Sequence, residues 1–184
     1  MRESIEVEES KSRNLIKDRE LKVPENLNDD DTFLISKQCT LQHAMSDEQL
    51  KGFAEAYSDA KSIAGDSNRL SNLTIEEVIE CIEDWGIKIE RDKNKYGYRT
   101  GPASFRNLST AAPHQEIPAR LNEFAYYFVT KGETPIELYS RFEKIHPFKD
   151  GNGRVGDLLW KLAVTRETGK WPEALPPDVF GAHK

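Results

Sequence analysis

Cysteine is almost absent from this chain, with two in 184 residues, Cys39 and Cys81. They are too few and too far apart for a disulfide framework or a cysteine-built metal cluster, and both read as buried thiols. No apolar run approaches the roughly 20 residues that a membrane-spanning helix needs. The opening MRESIEVEES has neither the basic start nor the apolar centre of a secretion signal. The expectation is a cytoplasmic protein with no membrane contact. An excess of positive charge is missing too: 26 Lys and Arg stand against 32 Asp and Glu, for a net charge of −6. Phosphate backbones require clustered basic residues, and here they are interleaved with acids, so nucleic acid is not an expected partner. Internal repeats and low-complexity tracts are also absent, which leaves one globular unit.

What is present supports that unit. A length of 184 residues with 37% hydrophobic and 32% charged side chains suits one domain with a sizeable core and is short for two. Residues 1–31 are polar and weakly patterned and read as a flexible acidic arm, leaving 32–184 as the domain. Ser46 and Gln49 form a capping-box pattern ahead of an apolar face of Leu50, Phe53, Ala54, Tyr57 and Ala64, with Gly65 as the stop. Thr74 and Glu77 repeat the pattern ahead of Val78, Ile79, Ile82 and Trp85, with Gly86 as the stop. Across 88–108 the period changes, and YGYRTGPASFR reads as a small β-hairpin or extended flap around Gly101-Pro102. Pro118 opens a helix bearing Leu121, Phe124, Ala125 and Phe128, and Thr134, Pro135 and Glu137 open the next, with Leu138, Tyr139, Phe142 and Ile145. Pro147 forces that helix to stop at 145 or 146. Val155, Leu158, Leu159 and Leu162 resume the stripe up to Gly169, and the proline-rich tail 170–184 reads as an extended wrap. The fold class is therefore mostly α, with a small β flap.

The loop between the last two helices, HPFKDGNGR, gathers the chemistry. Gly151, Asn152 and Gly153 set backbone amides at a helix start, where N–H groups lack partners and the dipole favours an anion. Arg154 on the first turn can add a forked clamp. Asp150 is placed to hold Mg2+ shared with phosphate oxygens, and His146 can take the proton from a hydroxyl attacking phosphorus. Singly these are ordinary: Gly-Asn-Gly is a common turn, and aspartate before glycine is turn chemistry. In this order, between two marked helices, they make a phosphoryl-transfer site.

HPFKDGNGR, residues 146–154, resembles the Fic-domain signature of the Fic/Doc (Fido) family at every specified position. YGYRTGPASFR resembles that family's target-binding flap, and the resemblance extends over about 75–168. It implies a Fic-like helical bundle and transfer of a nucleotide monophosphate, usually AMP from Mg-ATP, to a protein Ser, Thr or Tyr hydroxyl. That is the chemistry of a protein adenylyltransferase or other nucleotidyltransferase. By the same resemblance His146 is the base, Asp150 the metal ligand, Gly151, Asn152 and Gly153 the anion hole, Arg154 a phosphate clamp and Phe148 a plug anchoring the loop. The flap from Tyr98 to Arg106 would hold the target as an added strand.

Two departures qualify the resemblance. The family's second arginine, three residues after the first, is Asp157 here. It either faces the site and repels a third phosphate, which would favour a two-phosphate donor, or pairs with Lys161 or Arg154 on the helix surface. The family's inhibitory helix carries a glutamate where this chain has Ala64. The alternatives are a Doc-like phosphotransferase, which the intact GNGR argues against, and a catalytically weak protein-binding module.

Overall fold

Side chains that cap helix starts organise this chain more than any other local signal. In a computed structural model, which describes residues 13–105 and 109–179, Asn28, Ser46, Thr74 and Thr134 each accept a hydrogen bond from the third helical amide. In each case the side chain at that third position reaches back to the cap. The helices are α1 (Leu15–Asp18), α2 (Asp29–Leu41), α3 (Asp47–Gly65), α4 (Ser67–Ser71), α5 (Ile75–Ile89), α6 (Arg91–Asn94), α7 (Ile117–Thr130), α8 (Pro135–Ile145) and α9 (Asn152–Thr168). A 3-10 turn at His114–Glu116 leads into α7.

α9 is the central helix. It packs on α8, α3 and α5, while α7 closes the far side against α5 and α8. Val155, Leu158, Leu159, Leu162 and Ala163 of α9 are buried together with Phe53 and Tyr57 of α3, Trp85 of α5 and Phe142 of α8. Each large apolar side chain withdrawn from water in this way contributes about 1.5–3 kcal/mol. The consequence for function is positional: the first turn of α9, and the loop that feeds it, are held from three sides.

Three expectations change, and α2 goes unforeseen. Residues 13–31 are not a free arm: Asn14 caps α1, Ile16 is buried in the core, and Asn28 starts α2. Residues 1–12 lie outside the described part. α2 itself has no clear apolar stripe, because its inward face carries Asp31, Thr32, Ser36 and Gln38 beside Leu34 and Ile35, so its periodicity is invisible. Gly65 does not cap α3. Asp66 takes that place and also caps α4. Gly86 does not stop α5, which runs on to Ile89. A Cβ at position 86 would stand 2.3 Å from Cζ of Phe148, so this glycine makes room for a neighbour's ring.

The flap is less regular than a hairpin. Among the described residues no strand forms there, and the segment closes with one antiparallel bridge, Ser104 to Thr110. The Phe105 amide donates to Ser109 at 2.8 Å and the Ala111 amide to Ala103 at 2.9 Å. Over 170–179 the tail lies against the bundle: Trp171 stacks edge-on against Tyr57 at 5.4 Å, and Lys161 Nζ donates to the carbonyls of Pro172 and Ala174.

Candidate active site

α8 ends where its sequence requires. His146 adopts a left-handed conformation (φ 50°), its amide closes the last turn onto Phe142, and Pro147 carries the chain away. Phe148 then turns inward, fully buried, with its ring over Gly86 and 5.6 Å from Tyr98. The Asn152 side chain braces the loop from inside: Oδ1 accepts from the Phe148 amide at 2.9 Å, and Nδ2 donates to the Phe148 carbonyl at 3.0 Å. What Asn152 can offer a ligand is therefore its backbone amide. Gly151 has φ 81°, and a Cβ there would meet Ile89 at 2.8 Å, so conformation and space both demand glycine. Above Gly153 lies the Gln42 side chain, 2.5 Å from where a Cβ would be.

The charged residues around the loop form a closed circuit. Arg154, fully buried, donates through Nη2 to Glu90 at 2.5 Å and through Nε to Gln42 at 3.2 Å, while its Nη1 has no hydrogen-bond partner. Glu90 also accepts from Gln49 at 2.7 Å. Asp150 receives the Gly151 amide at 2.7 Å on Oδ1 and the Lys93 ammonium on Oδ2, with Arg154 Nη2 at 3.8 Å. Burial pushes the Asp150 carboxyl up, but Lys93, the Gly151 amide and Arg154 together hold it below its ordinary value. The hydrogen bond that Lys93 donates to Asp150 in turn raises the pKa of its ammonium. Asn94 fixes this corner, donating to the carbonyls of Gly86 and Asp150 at 2.9 Å each.

His146 stands on the other side of the loop. It contributes to the wall of a groove of about 520 Å³ shared with Arg99, Gly101, Pro102, Ala103 and Lys149, and Phe105 approaches its ring edge-on at 5.1 Å. Arg99 ties flap to loop, donating through Nε to the His146 carbonyl at 2.7 Å and through Nη2 to Ile145 at 3.2 Å. Burial, then the Arg99 charge, lower the imidazole pKa below its ordinary value, with the Glu143 carbonyl and the Asp150 carboxylate opposing. The shift favours the neutral ring near pH 7, the form a proton acceptor needs. Of the flap residues from Tyr98 to Arg106, Arg106 lies outside the described part.

Asp157 does not enter this arrangement. It is fully buried, 3.5 Å from Lys161 Nζ, which is equally buried. Neither carboxylate oxygen makes a hydrogen bond of good geometry, and desolvation pushes the carboxyl up to about 6 against the pull of Lys161. The pairing foreseen for the helix surface occurs in the interior, and the repulsion of a third phosphate, with the two-phosphate donor drawn from it, loses its basis.

Among the described residues no group of three or more His, Cys, Asp or Glu could hold a metal unaided. Asp150, one partly exposed carboxylate already attracting a cation, fits the share that Mg2+ takes from protein when substrate phosphates supply the rest. Sequence reasoning missed Gln42, Glu90, Lys93 and Asn94, which sit in unremarkable helical contexts. Arg99 lay inside the quoted flap, with nothing local to mark its role.

A sequence model described as Fic/DOC family matches residues 72–163. A Fic-domain-containing signaling protein from Bacteroides thetaiotaomicron is similar in structure, with a TM-score of 0.52 and 22% identity over 78% of this chain and 58% of that one. The chain thus spans little more than half the length of that structure. No curated protein matches it.

Proposed function

The chain belongs to the Fic/DOC family, and from that premise we propose that it transfers a nucleoside monophosphate, AMP in the first instance, from a Mg2+-bound nucleotide to a protein Ser, Thr or Tyr hydroxyl. The observation that carries the reading is the setting of His146: a neutral imidazole facing the flap groove, on the same loop as Asp150 and the glycine-built start of α9. His146 accepts the proton of the attacking hydroxyl, the acceptor oxygen forms its bond to the α-phosphorus, and the bond from that phosphorus to the bridging oxygen of the β-phosphate breaks to release pyrophosphate. The amides of Asn152 and Gly153 donate to phosphate oxygens, that of Gly151 joins them on release from Asp150 Oδ1, and Arg154, buried with its Nη1 unpartnered, adds its charge behind the cradle. Asp150 would hold the Mg2+, which supplies charge neutralisation on the phosphates.

The target protein docks on the flap by main-chain pairing, and a proline in that segment should reduce protein modification more than nucleotide binding. Two unbridged cysteines accord with a cytoplasmic setting. The decisive experiment is incubation with labelled ATP, GTP, UTP, CTP and a CDP-alcohol, with cell lysate as acceptor, and mass spectrometry of the adduct. An AMP adduct is expected. A bare phosphate adduct would favour a Doc-like phosphotransferase instead. A catalytically weak binding module has one observation on its side: Arg154 and Asp150 are already occupied by Glu90 and Lys93. Absence of any adduct, with a partner still captured by the flap, would favour it.

A further inference from the structure

Four charges alternate around the mouth of the loop. Lys93 pairs with Asp150; Asp150 lies 3.8 Å from Arg154; Arg154 lies 2.5 Å from Glu90; and Glu90 lies 3.8 Å from Lys93, closing the circuit. Two cations and two carboxylates sum to zero, so this form of the site has no net charge with which to attract a polyphosphate. The four are not equally held. The side chains of Arg154 and Glu90 are 0% and 5% exposed, whereas that of Lys93 is 51% exposed. The backbone beneath Lys93 is pinned by its neighbour Asn94, which is fully buried and bonded to Gly86 and Asp150. Lys93 can therefore leave the circuit by rotating its own side chain, with no backbone movement.

We propose that Lys93 is a displaceable counter-ion of this site: it competes with a divalent cation for Asp150 and, once released, serves as a phosphate ligand. The inference rests on the reading of the loop as a Mg2+-phosphate site. In the resting form the ammonium neutralises a carboxylate that would otherwise face the cradle beside Glu90. When a divalent cation takes Asp150, the released ammonium stays on a short tether next to the incoming phosphates, the nearest strong anions not already paired. This supplies a cationic phosphate contact that the buried Asp157 does not provide. Lys149, an exposed lysine of the loop itself, lines the flap groove instead.

The test reads binding and needs no turnover. Mn2+ is titrated into the full chain by electron paramagnetic resonance, and inorganic pyrophosphate by calorimetry at saturating Mn2+, for the wild type, Lys93→Ala, Lys93→Gln and Asp150→Asn. Removing the competitor should tighten Mn2+ binding about 5-fold, while pyrophosphate binding weakens about 10-fold for want of a charge-assisted contact. The two constants should move in opposite directions in both lysine variants, and Asp150→Asn should abolish Mn2+ binding. Unchanged or weaker Mn2+ binding in the lysine variants overturns the proposal, as does Mn2+ binding that survives Asp150→Asn. If adducts form but neither constant moves, the inference fails and the transfer function stands. If the constants move as described but no donor is ever transferred, the function fails and the role of Lys93 stands.

Discussion

At the scale of single residues, two substitutions separate chemistry from structure. His146→Ala should lower transfer by about 100-fold or more, the contribution of a positioned general base, while the melting temperature and nucleotide binding change little. Its pH profile follows from the direction of the shift. Because burial and Arg99 lower the imidazole pKa, the proton-accepting form predominates at neutral pH. The wild-type rate should therefore be flat through pH 7 and fall only below the ordinary histidine value of about 6.5. An acid limb centred above that value would contradict the environment described. Asp157→Arg should act in the opposite sense to a family-restoring change. The position is fully buried beside an equally buried Lys161, so the substitution removes the partner of one buried ammonium and adds a second cation. A loss of about 3–5 kcal/mol in urea denaturation is expected, with no gain in ATP affinity. Tighter ATP binding by a folded Asp157→Arg protein would show that the side chain can reach the phosphates after all.

At the scale of elements, the contact between α5 and the candidate catalytic loop is the joint to probe. Gly86 lies within α5, and on an open helix face Gly→Ala would stabilise by about 1 kcal/mol through propensity alone. Here a Cβ would stand 2.3, 2.5 and 2.6 Å from atoms of the Phe148 ring, so the sign should reverse. Gly86→Ala is expected to destabilise by about 1–3 kcal/mol and to reduce transfer further than stability alone explains, because the displaced Phe148 carries the loop with it. Comparing urea midpoints with turnover in the same preparations checks both parts. The same joint explains the reach of α6: a four-residue helix contributes Asn94 and Lys93 to the loop, although alone it would be too short to persist.

At the scale of the whole molecule, the tail closes the bundle over a buried charge. Lys161 lies 5.5–5.9 Å from the rings of Tyr57, Trp160 and Trp171 and donates to two tail carbonyls. Trp171 adds a 3.2 Å hydrogen bond to the Tyr57 hydroxyl. Trp171→Ala should cost about 2–4 kcal/mol in urea denaturation by opening a route for water to Lys161 and Asp157. Nucleotide binding should be spared, since the tail meets α9 at Lys161, about two turns beyond Arg154 of the charged circuit. A stability unchanged by that substitution would mean the tail rests on the bundle without sealing it.

What the sequence by itself determined are features whose physics spans a few residues. The capping pairs Ser46 and Gln49, Thr74 and Glu77, and Thr134 and Glu137 act at a separation of three. Pro147 restricts only its predecessor, Gly169 ends α9 through its own φ of 73°, and the loop His146–Arg154 is contiguous, so these helix starts, the ends of α8 and α9 and the candidate chemistry could be read directly. The tertiary structure alone decided what those residues face. Arg154 meets Glu90 across 64 positions and Gln42 across 112, Lys93 meets Asp150 across 57, and Arg99 meets the His146 carbonyl across 47. Asp157 could have looked toward phosphate or toward Lys161 with the same local pattern, and Gly86 reads as a stop until Phe148 is seen above it. Periodicity and capping report energies within one turn of helix. Which charge is neutralised, which is buried and which stays free to move depends on contacts between helices that no local pattern encodes.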